Sequence, residues 1–146
     1  MTLSVRVLEP HEAGVLSSVA DGVFDGPIRA DSLTDFFTDS RHHIAVALGG
    51  DVVVGMATGF HYAQPDKLPE LFINEVGVAD ACQGQGLGKR LVQALLAHAR
   101  EPGCVAAWVL TEEDMTEEDN AAARRLYASA GGREVPGVVM SLFELE

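Results

Sequence analysis

The sequence predicts an α/β fold, and three observations carry that prediction. Strand-like and helix-like apolar patterns follow one another in the order strand, two helices, three strands, helix, strand, helix, strand. Gly49-Gly50-Asp51 joins two β-rich runs as a hairpin connection would. The third is CQGQGLGKRL, residues 82–91, just after the apolar run at residues 71–78. It reads as a strand, a glycine-rich turn, and a helix that opens inside the glycines.

Residues 3–9 alternate as a first strand. Pro10 stands where a helix can begin, and Val15, Leu16, Val19 and Val23 recur at helical spacing through residues 11–24. Gly22, Gly26 and Pro27 break that helix. Asp31 or Ser32 can cap a second short helix through Phe37. The pair carries Asp21, Asp25, Asp31, Asp35 and Asp39, a density that suits either a solvated face or the wall of a cation pocket. Residues 44–48 and 52–62 are the hairpin strands, and residues 63–70, rich in proline and charge, form a loop.

Residues 71–78 form the next strand, in which Gly77 marks a bulge or a place where another molecule's backbone comes close. The following helix, about residues 86–100, has Leu87, Leu91, Leu95 and Leu96 along one side, and Pro102-Gly103 stops it. Residues 104–110 are an apolar strand buried on both faces. A last helix opens near Thr116, where Glu117 to Asp119 suit its dipole, and ends at Gly131-Gly132. Residues 135–145, interrupted by Pro136-Gly137, supply the closing strand or strands. No repeat or linker divides residues 1–146, so one domain is expected.

Composition excludes several classes of function. The net charge of -12, with 22 acidic residues against 10 Lys and Arg, opposes nucleic-acid binding and favours a cationic substrate. No apolar run reaches membrane-spanning length, and the first residues lack a signal-peptide layout, so a cytoplasmic protein is expected. Cys82 and Cys104 do not make a zinc motif or a disulfide scaffold; no metal is expected.

The glycine-rich turn is the chemical centre. Gly84, Gly86 and Gly88 allow a tight turn that presents several N–H groups in one direction, and the helix adds the positive end of its dipole. Lys89 and Arg90 stand beside it, so the ligand class is phosphate-bearing. A Walker loop fails here, because Gln83 and Arg90 occupy its first glycine and its hydroxyl position. A dinucleotide fingerprint fails too, with Lys89 at its third glycine. What matches is Gln-x-x-Gly-x-Gly at Gln83, Gly86 and Gly88.

That pattern resembles the acetyl-CoA pyrophosphate loop of the GCN5-related N-acetyltransferases. A second stretch, Asn120, Ala123, Leu126 and Tyr127 followed by glycine, resembles another signature of the same family. Asn120, Ala123 and Tyr127 share one helix face. The resemblance covers nearly the whole chain and implies a mixed, mostly antiparallel sheet, flanked by helices and splayed between strands 4 and 5. Acetyl-CoA is the implied cosubstrate. Its pantetheine arm would lie in the splay against Val76, Gly77 and Val78. Its pyrophosphate would rest on Gln83, Gly84, Gln85, Gly86, Leu87, Gly88 and Lys89, with Asn120, Ala123 and Tyr127 flanking it.

Residues 31–48, ELFINEVGV at 70–78, and the acidic run before Tyr127 look like the type I aminoglycoside 3-N-acetyltransferases, which inactivate antibiotics. Glu75 is one methylene longer than the aspartate typical there, and Asn120 stands near a place where that subfamily is acidic. The activity so implied is direct attack of an aminoglycoside 3-amino group on the thioester. Glu75 would be the general base, alone or through a water, and Tyr127 the general acid. Glu112, Glu113 and Asp114 would hold neighbouring ammonium groups. Relatives are often dimers, and a homodimer is expected. The competing readings are acetylation of another polyamine, small amine or protein N-terminus, and an acyl-CoA-binding protein without turnover.

Overall fold

Two apolar runs set the architecture. His43 to Ala47 and Val53 to Ala57 are buried throughout, as strands covered on both faces must be. In a computed structural model, which describes residues 2–111 and 118–145 (only the backbone at Asp119), they form the centre of one five-stranded sheet. Its strands are β1 (Leu3–Val7), β2 (His42–Gly49), β3 (Val52–Gln64), β4 (Lys67–Val78) and β5 (Ala106–Val109), in that spatial order. Neighbours are antiparallel except β4 and β5, which are parallel. The helices are α1 (Ala30–Thr38), α2 (Leu87–Ala99) and α3 (Glu118–Ser129). No helix among the described residues is long and apolar enough to cross a membrane.

The leucine stripe of α2 covers one face of the sheet. Leu87, Leu91 and Leu95 are fully buried, at the i, i+4 spacing that stacks side chains on one helix face. Two strand glycines make room for them: a Cβ on Gly55 would stand 3.1 Å from Leu91 Cδ1, and one on Gly59 would stand 3.4 Å from Leu95 Cδ2. The opposite face is covered by the segment between β1 and α1. Its backbone presses on β4 so closely that a Cβ on Gly77 would meet the Val23 carbonyl oxygen at 2.0 Å.

That contact corrects one expectation in part. Gly77 does mark a close backbone approach, but the backbone is the chain's own. The bulge falls at Asn74, since Thr58 pairs with Glu75 and Gly59 with Ile73. The helix expected over residues 11–24 shrinks to a 3-10 turn, Ala13–Ser17. Beyond it the chain runs beside β3, the Val53 N–H donating to Ser18 O and the Ala20 N–H to Val53 O, each at 2.9 Å. Sheet hydrogen bonds thus replace helical ones, and Leu16 and Val23 are still buried.

The loop expected at residues 63–70 is mostly strand, with Tyr62 paired to Glu70 and Gln64 to Lys67. Its polar side chains reinforce the pairing: Trp108 Nε1 donates to Tyr62 Oη at 3.0 Å, and that hydroxyl donates to Glu70 Oε1 at 3.3 Å. β5 is a short, largely exposed edge strand, not one buried on both faces. The closing strand expected in residues 135–145 does not form, and among the described residues nothing pairs with that edge.

His43 is an imidazole in the core, 8% exposed. Its Nε2 lies 2.7 Å from Nδ1 of His61, and the His98 ring sits edge-on at 4.9 Å. Burial, and then the charges of His98, His61 and His42, push its pKa from 6.5 down to about 4. The native state therefore resists a proton that the unfolded chain accepts, and stability falls as pH drops from about 6.5 toward 4, by up to about 3 kcal/mol. Melting at pH 7.5 and pH 5 should show this loss, and His43→Gln should reduce it; an equal loss in both proteins would remove His43 as its source.

Candidate active site

Where two paired strands separate, backbone groups on their inner edges lose their partners. β4 pairs with β5 from Glu70 to Ile73, opposite Ala106 to Val109, and from there to Val78 no strand pairs with it on that side among the described residues. The Ala79 N–H donates to Val54 O of β3, so strand alternation turns the N–H and C=O of Val76 and Val78 toward the opening. The Val78 carbonyl accepts Gln83 Nε2 at 3.1 Å, and the same amide nitrogen reaches Asp80 Oδ1 at 3.3 Å. Gln83 thus ties the end of β4 to the turn that follows; its own N–H donates to Asp80 O.

From there the chain enters α2 through Gly86, whose φ of 77° is in the left-handed region that side chains disfavour. The turn leaves a row of donors: the N–H groups of residues 84–89 donate to nothing among the described residues. A Cβ at Gly84 or Gly86 would meet nothing within 4 Å, so the surface above those donors is open. The start of α2 lies behind them, and Lys89 and Arg90 are exposed and form no ion pair among the described residues. Donors, dipole and cations converge as an anion site.

Gly88 has a different task. A Cβ there would stand 2.2 Å from Leu126 Cδ1, so its absence lets α3 lie against the first turn of α2. That contact brings the face bearing Asn120, Ala123 and Tyr127, all half-buried, to the flank of the loop. Burial pushes the Tyr127 phenol above its ordinary pKa of 10 and keeps the hydroxyl protonated. These groups fit a pantetheine diphosphate: amide edges at the splay, bare N–H groups at the turn, and a small alanine on the flanking helix.

Glu75 lies just past the bulge, on the face of the sheet opposite α2. It borders a cavity of about 260 Å³ with Asp25, Phe24, Leu33, Phe36 and Thr58 around it. Burial and then the charge of Asp25 push its carboxyl above the ordinary carboxylate range. The apolar wall is a feature that sequence reading missed. The available signal was Leu33, Phe36 and Phe37 at helical spacing on α1, none of which is fully buried. Of the Asp-rich stretch, Asp25 borders the cavity. Glu112, Glu113 and Asp114 lie outside the described residues. No group of three or more His, Cys, Asp or Glu among the described residues could hold a metal ion.

A family model described as "Acetyltransferase (GNAT) family" matches residues 17–131. The chain belongs to the GNAT acetyltransferase family. Residues that build the splay, the turn and α3 all fall within that match. The fold of this GNAT protein is that of solved aminoglycoside acetyltransferases. One, meta-AAC0020 from an uncultured soil metagenomic sample, in complex with sisomicin, is 20% identical with a TM-score of 0.78, covering 99% of this chain and 97% of that one. Another, AAC(6')-Iy in complex with a bisubstrate analog, CoA-S-monomethyl-acetylneamine, is 15% identical with a TM-score of 0.75, covering 99% and 100%. A mycothiol acetyltransferase from Thermomonospora curvata is 37% identical over 79 residues, which are 53% of this chain. That stretch spans about a quarter of the mycothiol enzyme's length, 24%.

Proposed function

We propose that the protein is an acetyl-CoA-dependent N-acetyltransferase of the cytoplasm that acts as a homodimer on a small-molecule amine, the 3-amino group of an aminoglycoside being the first acceptor to test. The observation that carries this reading is the row of bare N–H groups at residues 84–89, joined to an unpaired strand edge and a carboxylate-bearing cavity. Acetyl-CoA supplies an activated acyl group as a thioester. Residues 84–89 would hold its diphosphate, the edge of β4 at Val76 and Val78 would align the pantetheine amides, and Asn120, Ala123 and Tyr127 would close the far side.

Glu75 is the base in this proposal. An amine at neutral pH is mostly ammonium, and a carboxyl whose pKa is raised is better matched to taking its proton than an ordinary one. Asp25 would hold a second ammonium of the acceptor, as would Glu112, Glu113 and Asp114. Tyr127, protonated by burial, would give its proton to the departing thiolate. The rate should rise with pH as Glu75 ionises and fall again only above the ordinary phenol range.

The cavity lining favours a second reading. Phe24, Leu33 and Phe36 offer little to the hydroxyls of an aminoglycoside and would pack against an amine on an apolar body. Thiol release from acetyl-CoA, measured with gentamicin-like aminoglycosides and with arylalkylamines, separates the two readings. Turnover with neither class, under conditions where acetyl-CoA binds, would contradict both.

A further inference from the structure

The cavity beside Glu75 continues into a row of rings on the same face of the sheet. Thr58 pairs with Glu75, and two residues along β3 Phe60 pairs with Phe72, so strand alternation puts both pairs on one face. Pairing extends the second row to His42 on β2 and to Trp108 on β5. The rings follow one another from α1 to β5. Phe36 stands 5.3 Å from His42 between centroids, His42 5.9 Å from Phe60, Phe60 5.4 Å from Phe72, and Phe72 4.5 Å from Trp108. Phe36 also lines the cavity, which makes row and cavity one surface.

Core packing does not account for the β5 end of this row. Phe60 and Phe72 are half-buried and Trp108 is 42% exposed. A single exposed ring needs no explanation, but contiguous exposed rings mark a binding surface. The polar groups at this end are already engaged. Trp108 Nε1 donates to Tyr62 Oη at 3.0 Å, and that hydroxyl donates to Glu70 Oε1 at 3.3 Å. These bonds hold the indole in one orientation and leave ring faces rather than free donors. A hydroxylated sugar ring would give up water there without replacement hydrogen bonds, whereas an aryl ring would stack.

We propose that Phe60, Phe72 and Trp108 form a stacking subsite for the body of the acceptor, and that the preferred acceptor is an arylalkylamine whose nitrogen reaches Glu75 from a ring laid on this row. The proposal rests on the acetyl-transfer reading at Glu75 and narrows its acceptor. Two residues of strand separate the two rows by about 7 Å. A linker of two or three carbons between ring and nitrogen spans that distance, and a single carbon is too short. Trp108 directly precedes Val109, where β4 and β5 part, so the ring would lie beside the mouth of the splay. The net charge of -12 draws the ammonium form toward the protein.

Trp108 is the one tryptophan of the chain, so its fluorescence reports the subsite directly. In the wild type with CoA present, phenethylamine should change that emission saturably and n-butylamine should not, a readout that needs no variant to fold. Thiol release from acetyl-CoA should favour phenethylamine over benzylamine, n-butylamine and gentamicin-like aminoglycosides. Trp108→Ala should cut the selectivity for phenethylamine over n-butylamine by about 3–10-fold, and Trp108→Phe should restore most of it. Equal turnover of phenethylamine and n-butylamine with the emission unmoved overturns the subsite and leaves acetyl transfer standing. So does a higher kcat/KM for the aminoglycosides. If no amine releases thiol, the acetyl-transfer reading is contradicted, and the fluorescence titration decides the subsite by itself. An emission closed to a soluble quencher before any amine is added, as cover by a second copy would make it, also overturns the proposal.

Discussion

Replacing Tyr127 with phenylalanine is expected to lower the rate of acetyl transfer by about 10²-fold or more, the usual worth of a positioned acid. Affinity for acetyl-CoA should change little, because the ring stays and packs as before against the hydrophobic core. Burial gives the effect a second signature. The phenol is held above its ordinary range, so the wild-type rate should fall only at high pH, and the variant should lose that limb. The result separates a proton donor from an aromatic anchor: an anchor would be replaced by phenylalanine without loss. An unchanged rate with an unchanged pH profile would remove Tyr127 from the chemistry.

The other large effect belongs to the loop. Gly86→Val is expected to weaken acetyl-CoA binding by roughly 10²-fold while leaving most of the fold intact. The reasoning is backbone geometry. At a φ of 77° a β-branched residue is strained by about 1–2 kcal/mol, and the turn relaxes by rotating its peptide planes. The new Cβ meets nothing within 4 Å among the described residues beyond its chain neighbours, so the strain lies in the backbone. What is lost is the common direction of the N–H groups at residues 84–89. Each hydrogen bond to a charged phosphate oxygen is worth about 1.5–3 kcal/mol, so losing one or two accounts for the expected change. Calorimetric titration of both proteins checks it, and equal affinities would show that the diphosphate does not rest on this turn.

Much of this arrangement was legible in the sequence, for a physical reason. The turn at residues 82–91 and the leucine stripe behind it are local: glycine spacing and helical periodicity dictate them without help from the rest of the chain. The hairpin at Gly49-Gly50-Asp51 was legible for the same reason. Residues 11–24 were not, because their apolar spacing satisfies a helix and an irregular strand-side segment equally well. The choice was made by Val53, which offers its N–H and C=O to Ser18 and Ala20. Gly77 shows the limit in a single residue. Its sequence context said that something comes close, and only the folded chain could say that it is Val23. The helical spacing of Leu33, Phe36 and Phe37 says only that α1 has an apolar side; that this side borders Glu75 is a product of the folded chain.

The stretch at residues 135–145 is a different case. Its composition is that of a strand, but it pairs with no strand among the described residues.

The central claim is that acetyl-CoA is held at the mouth of the splay, with its diphosphate on the turn before α2. Titrating acetyl-CoA into isotope-labelled protein and following backbone amide resonances tests it most directly. The largest shifts should fall at residues 84–89, with Val76, Val78 and the Asn120-to-Tyr127 face of α3 following at the same ligand concentration. Shifts gathered instead around Phe24, Leu33 and Phe36, or no shifts at a saturating concentration, would contradict it.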